Sequence, residues 1–256
     1  MEAPANNQQT HSLRLACPCC GFRTLGKPSG TVCPVCFWQD TPPNRPSHNV
    51  TPLWRAQQNY ELLLASHHQW LGQVRDPLPN EAREAEWEPV DPFAMMTAER
   101  QELIGLIETA FAGVDRQDGV SIRETRVIDC YGSDAERQEA RSLDDEACWQ
   151  AVPQDDLETF TSALSFCDAK AFRYYALAFM MWDLRALRRP GTPTPSRLPW
   201  HLQHNGNAGL LSALQSRAAC RYLRFLAGYA DSSKGTEAEQ ALKACWNRFS
   251  HWPTDH

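Results

Sequence analysis

The chain has 256 residues, 42% of them hydrophobic, with nine tryptophans and ten phenylalanines, enough for one large or two modest cores. No apolar run approaches the ~18 residues of a membrane span, and the polar stretch Met1 to Thr10 lacks the basic and apolar regions of a secretory signal. The net charge of −6 is uneven: residues 1–72 sum to +2, 73–96 to −4, 97–160 to −10 and 161–256 to +6. A strongly basic nucleic-acid binder is not what this balance describes. The acidic middle and basic end are expected either to face each other within one folded unit, or to leave an acidic face for a basic partner.

In chain order, the first informative stretch is Cys17-Pro18-Cys19-Cys20-Gly21, followed twelve residues later by Cys33-Pro34-Val35-Cys36. Two Cys-x-x-Cys pairs at this separation suit a tetrahedral zinc site, with Cys17, Cys20, Cys33 and Cys36 as ligands. Each pair opens with Cys-Pro, whose fixed φ presets a tight turn, and Gly21 supplies the positive φ that closes one. A redox disulfide pair is the first alternative, and iron in the same four sulfurs is the second. Cys19 is a spare thiol that could stand in for Cys17 or Cys20. Phe37 and Trp38 are expected to cover the thiolates.

Thr51 reads as an N-cap with Pro52 at the first helical position, and Leu53, Ala56, Tyr60, Leu63 and His67 form a stripe ending near Gly72. His67 and His68 are expected at the surface rather than as ligands. Residues 73–96, with Pro77, Pro79, Pro89, Pro92 and clustered Glu, read as a linker or extended strap, with a short helix possible over 81–87.

From Thr97 onward the pattern is helical. Thr97 caps a helix with Leu103, Ile107, Ala110 and Phe111 inward and Gly113 at its end. Residues 119–132 lean to helix, and 133–158 are acidic and helical in flavour, anchored by Trp149 and Leu157, with a capping-box-like start at Asp155 and Glu158. Phe172 to Leu187 is apolar nearly all round and reads as the central buried helix, so Tyr174, Tyr175 and Trp182 are core before they are a ligand pocket. A loop over 190–200 would carry His201 and His204 at its edge. Two more stripes follow: Leu211, Leu214, Ala218, Tyr222, Phe225 and Tyr229, then Ala238, Ala241, Leu242, Cys245, Trp246 and Phe249. Asp129, Asp168 and Arg173 are expected in a structural ion pair. The later cysteines (Cys130, Cys148, Cys167, Cys220 and Cys245) are dispersed singly, as in a reducing, cytoplasmic setting.

The expected fold is therefore mainly α: a small N-terminal four-cysteine zinc-ribbon-like module over 1–72, a linker over 73–96 and a helical domain over 97–256. The stretch from Cys17 to Trp38, with Asp40 and Arg55-Ala-Gln-Gln-Asn-Tyr60, resembles the bacterial CPCC cysteine-rich family. That resemblance covers about residues 13–72 and implies metal binding through these cysteines, in a family often found near toxin–immunity loci. Gln39, where an acidic residue is usual, and the Pro-rich loop after Asp40 depart from the pattern. Phe166-Cys-Asp168-Ala-Lys-Ala-Phe172-Arg173-Tyr174-Tyr175, with Glu139-Ala-Arg141 and Trp149, is similar to an uncharacterised bacterial family over about residues 100–190. It implies a shared helical fold and no known activity.

Three functions follow as expectations. The first is an immunity-type cytoplasmic protein that neutralises a cognate toxin by direct binding. Its docking face would hold Asp134, Glu136, Glu139, Asp144, Asp145, Glu146, Asp155 and Asp156. The second is a zinc-ribbon nucleic-acid binder using Arg14, Arg23, Lys27, Arg45 and Arg55 for phosphates and Phe37 and Trp38 for bases. The third is an enzyme with a concealed site in the helical domain. No catalytic motif supports it, and four protein ligands leave a metal no open position.

Overall fold

The computed structural model describes residues 14–26, 30–41, 49–144, 146–204 and 210–251. It divides into two compact units, Met1–Asp91 and Pro92–His256.

The first unit begins with two short antiparallel hairpins. β1 (Leu15–Ala16) pairs with β2 (Arg23–Leu25), and β3 (Thr31–Val32) pairs with β4 (Gln39–Asp40). α1 (Leu53–Leu63) then lays Trp54, Ala56, Gln57 and Tyr60 inward. It starts at Pro52, which takes the N-cap position without a side-chain cap, so Thr51 does not serve that role. The helix stops well short of Gly72 because Leu64 turns left-handed (φ +56°), its N–H still reaching the Tyr60 carbonyl. Ser66 N–H then bonds the Cys36 carbonyl at 2.7 Å, which draws the chain back onto the cysteines. Among the described residues, five of the eleven buried hydrophobic positions here are cysteines, so apolar burial alone is a thin basis for this unit.

Residues 73–91 fold onto the first unit. Glu81 is buried and accepts from Arg14, from both Arg75 guanidinium nitrogens and from Leu78 N–H. These partners, Arg75 foremost, hold its carboxyl below the usual range. Instead of a helix over 81–87, Arg83 forms an antiparallel bridge with Phe22.

Among the described residues the second unit is built of helices joined by turns and loops, with one isolated bridge between Thr192 and Ala230. α2 (Pro92–Ala110) starts five residues ahead of Thr97, because Pro92 provides a preset first turn; Thr97 Oγ1 donates back to the Phe93 carbonyl. α3 (Ile122–Asp129) and α4 (Asp134–Ser142) each begin with a capping box, Ser121 with Glu124 and Ser133 with Glu136. α5 (Gln154–Thr159) has Pro153 as its N-cap, without the Asp155–Glu158 box. α6 (Ala169–Ala186) is the central helix, with Phe172, Tyr174, Tyr175, Phe179 and Leu184 buried along its length. Asp168 caps it and also accepts from Val120 N–H. Asp129 is exposed and Asp168 is taken up by backbone N–H groups, and no ion pair among Asp129, Asp168 and Arg173 forms in the described residues.

α7 (Leu198–His204) replaces the later part of the expected loop and puts His201 and His204 on a helix, with His201 buried. α8 (Ala213–Tyr229) and α9 (Ser232–Ala244) pack together, and α8 also packs on α2. Leu214 faces solvent on α8, so the inward stripe runs from Ala218 through Tyr222, Phe225 and Tyr229. One ionisable group lies at the heart of this unit. Asp183 of α6 is fully buried and accepts from Ser196 N–H at 2.9 Å, from Ser196 Oγ and from Tyr222 Oη of α8.

The turn between α3 and α4 is conformationally unusual. Gly132 N–H bonds the Val127 carbonyl and Tyr131 N–H the Ile128 carbonyl, the paired bonds of a Schellman stop. The left-handed position belongs to Tyr131 (φ +58°), a place where glycine is usual, and its side chain is 97% exposed. Gly132 has no such freedom, since a Cβ there would meet Val127 Cγ1 at 2.4 Å. Tyr131→Gly is therefore expected to stabilise the helical unit by about 1 kcal/mol. A denaturant melt showing no gain would contradict that reading of the turn.

Candidate metal centre

Each hairpin ends in a hook that carries two of the four cysteines. In the first, Cys17 N–H donates to the Phe22 carbonyl and Gly21 N–H to the Cys17 carbonyl, both at 2.8 Å. The second repeats this bond for bond, Cys33 N–H to Trp38 and Phe37 N–H to Cys33, again at 2.8 Å. Each hook closes with a left-handed residue: Gly21 at φ +79° and Phe37 at φ +63°. A phenylalanine there costs about 1 kcal/mol of backbone strain. Its ring packs on Trp70 with centroids 4.7 Å apart, which offsets that cost.

The hooks bring Cys17, Cys20, Cys33 and Cys36 together, one sulfur from each, all within 4.8 Å of one another and all buried. Cys17 Sγ lies 3.6 Å from Cys36 Sγ, and Cys20 Sγ 3.6 Å from Cys33 Sγ. Metal–sulfur bonds of about 2.3 Å in a tetrahedron put sulfurs about 3.8 Å apart, so the cage fits a tetrahedral ion. The described cysteines are free thiols, and the 3.6 Å sulfur separations exceed the roughly 2.05 Å of a disulfide bond. Cys19 is buried in the same core but falls outside the foursome.

The electrostatics favour a cation. Sulfur-to-sulfur hydrogen bonds are the largest influence on all four thiols, holding Cys33 far below its ordinary value and leaving Cys17, Cys20 and Cys36 far above theirs. A buried cage of this kind keeps one thiolate readily and resists the others unless positive charge enters. Thr24 Oγ1 lies 3.1 Å from Cys33 Sγ, a further hydrogen-bond partner for that sulfur.

The outer layer is closed. Gln57 Nε2 and Trp87 Nε1 donate to the Pro18 carbonyl, Arg83 Nε to the Cys20 carbonyl and Glu84 N–H to the Gly21 carbonyl. On the second hook, Arg75 N–H covers the Pro34 carbonyl. The 73–91 strap thus supplies much of the support for both hooks, a role the sequence pattern did not disclose. Trp87 also fills the space beside Gly21, where a Cβ would lie 2.8 Å from Trp87 Cγ. Gly21→Ala combines that clash with a positive φ and is expected to destabilise the metal-loaded first unit by about 2–3 kcal/mol. Wild-type melting in this variant would show that the strap is not seated there.

The other sequence-expected residues are dispersed. Arg14 pairs with Glu81 and Arg23 with Glu84, while Arg55 lies over the Trp54 ring at 4.9 Å. Lys27 and Arg45 lie outside the described residues. Trp38 packs on the cysteine core and Phe37 on Trp70, so the described cations and aromatics of the nucleic-acid reading have partners within the unit. His67 and His68 stack on each other, centroids 4.1 Å apart, away from the sulfur cage.

The eight acidic residues do not make one exposed face. Asp144 and Asp156 are buried and share Arg123, and Glu146 turns inward to accept from Tyr175 Oη at 2.9 Å. Asp134, Glu136, Glu139 and Asp155 are exposed, Glu136 bonded to its own cap residue, and Asp145 lies outside the described residues. The inward carboxylates are those within reach of Arg116 and Arg123, a pairing that a run of acidic letters cannot reveal.

Two hooked hairpins gripping four sulfurs define a thiolate metal-binding module attached to a helical unit. Residues 15–81 match the family model described as cysteine-rich CPCC. Residues 99–250, more than half of the chain, match the model of a family of unknown function, DUF6714, and the chain belongs to that family. Neither a curated protein nor a solved structure matches it significantly. No helix among the described residues is long and apolar enough to cross a membrane.

Proposed function

We propose that this is a zinc-braced cytoplasmic binding protein that acts by docking a macromolecular partner, in the manner of an immunity protein neutralising a toxin. The observation that carries the reading is closure of the metal site. Four buried sulfurs fill a tetrahedron, and backbone and strap groups seal the hooks behind them. Zinc held this way has no position for substrate or water and serves the fold. The same burial favours zinc over a redox-active iron, which would benefit from an exposed sulfur for electron exchange.

Direct binding is supported by the exposed carboxylates Asp134, Glu139 and Asp155, which suit a basic partner, and by the resemblance of the cysteine motif to proteins found beside toxin genes. The nucleic-acid reading is weaker because Arg14 and Arg23 are already paired. Co-expression with the product of the adjacent gene tests the proposal: a stoichiometric complex that suppresses that product's toxicity is expected. A harmless neighbour that never copurifies would overturn it.

A further inference from the structure

Charge in the helical unit is paired within stretches rather than across them. Arg116, Arg123, Arg137 and Arg141 take up Glu146, Asp144, Asp156 and Glu124, all between residues 116 and 156. Among the described residues only Lys170 with Asp118 and Arg221 with Glu102 join the acidic stretch to the basic one. The excess of each sign therefore stays on the surface.

On the basic side it gathers on α8. Leu214, Arg217, Arg221 and Arg224 lie within roughly 80° of one another around the axis, and the arginines span about 10 Å along it. The helix contains no carboxylate. Arg217 and Arg224 have no ion-pair partner among the described residues, and Arg221 reaches Glu102 only at 3.5 Å. Across the acidic stretch, the α3–α4 turn projects Tyr131 between Asp129 and Asp134, both exposed, with Asp134 also 3.7 Å from an Arg137 guanidinium nitrogen.

We propose that the α8 arginine row is a docking surface for a second copy of this chain, entered by that copy's Tyr131 turn. The phenol ring stacks over a guanidinium while Asp129 and Asp134 pair with the flanking arginines and Leu214 closes the edge. Tyrosine and arginine are the residue types that carry interface energy, and the turn's two bonds hold this tyrosine in place before contact. The charge argues for a second copy over a polyanion. Residues 92–256 sum to −4, from −10 over 92–160 and +6 over 161–256, so a long phosphate chain meets net repulsion, whereas a second copy presents the matching acidic turn. Row and turn are different patches, so the contact is head-to-tail and can propagate.

Sedimentation velocity of the metal-loaded full chain tests this at about 50 mM and about 500 mM salt, where screening lengths differ roughly threefold. The expected result is a mass that rises with protein concentration at low salt and returns to monomer at high salt. Arg217→Glu with Arg224→Glu weakens association at least tenfold. Tyr131→Gly does the same without lowering the melting temperature. The decisive arm mixes the Arg217→Glu/Arg224→Glu chain with an Asp129→Asn/Tyr131→Gly chain: each alone is monomeric, and together they give a dimer and nothing larger, because one intact turn meets one intact row. A monomer at every concentration in low salt overturns the proposal, as does association that survives both pairs of substitutions. Retention of a labelled oligonucleotide through Arg217 and Arg224 by a strictly monomeric chain overturns it in favour of a nucleic-acid surface.

Discussion

Cys33→Ser is expected to strip the chain of its metal, leaving less than a tenth of an ion per molecule, and to unfold residues 14–91 while the helical unit still melts cooperatively. Cys33 is one corner of the cage, 3.6 Å from Cys20 and in contact with Thr24, and is the thiol held most strongly toward the thiolate. Structural zinc contributes about 10–16 kcal/mol to modules of this type. Among the described residues, five of the eleven buried hydrophobic residues of the first unit are cysteines, so without the ion little remains to hold the hooks against chain entropy. Cys17→Ser and Cys36→Ser should behave alike. Cys19→Ser is the control: it retains the metal and costs about 1–2 kcal/mol for a buried hydroxyl. Metal content and circular dichroism read all four variants, and a Cys33→Ser chain that melts like wild type would remove the metal from the account of folding.

The second large effect concerns Asp183, whose ionised form the helical core holds at a cost. Burial pushes its carboxyl up from 3.8 to about 6, despite donors from Ser196 and Tyr222 that favour the charge. Because the folded state holds the proton more tightly, the stabilisation is complete below about pH 4 and is lost as pH rises through about 6. A rise of that size in proton affinity amounts to about 3 kcal/mol. Asp183→Asn should lack that slope between pH 4 and 7, so the two proteins' helical-unit stabilities diverge across this window. Asp183→Ala removes the acceptor from Ser196 N–H, Ser196 Oγ and Tyr222 Oη, leaves a void and is expected to destabilise the unit by about 3 kcal/mol at pH 7. Parallel pH profiles for wild type and Asp183→Asn would mean the carboxyl is not buried as described.

Several of these features could be read before any coordinates. The spacing of the two Cys-x-x-Cys pairs is chemistry written locally, so the foursome was legible, as was the burial of α6 from an apolar surface that runs round the whole helix. Helix starts were less so. Thr51 and Thr97 both read as caps, yet Pro52 takes the N-cap position of α1 and Pro92 opens α2 five residues ahead of Thr97. The strap was opaque because its contribution depends on partners far away in sequence: Glu81 on Arg14, and Trp87 on Pro18 and Gly21. The acidic run misled for a related reason. Arg116 and Arg123, not the number of carboxylates, decide which acids turn inward. Asp183 does leave a trace as the lone acid of α6, within Met181-Trp182-Asp183-Leu184, and such a residue is a fair marker of a buried polar hub.

Elemental analysis of freshly purified protein, combined with thiol labelling under native conditions, tests the sulfur cage most directly. The expected result is about one zinc per chain, with Cys17, Cys20, Cys33 and Cys36 protected from alkylation until a chelator is added. Protein that contains no metal, or a disulfide mapped between any two of those four cysteines, would contradict it.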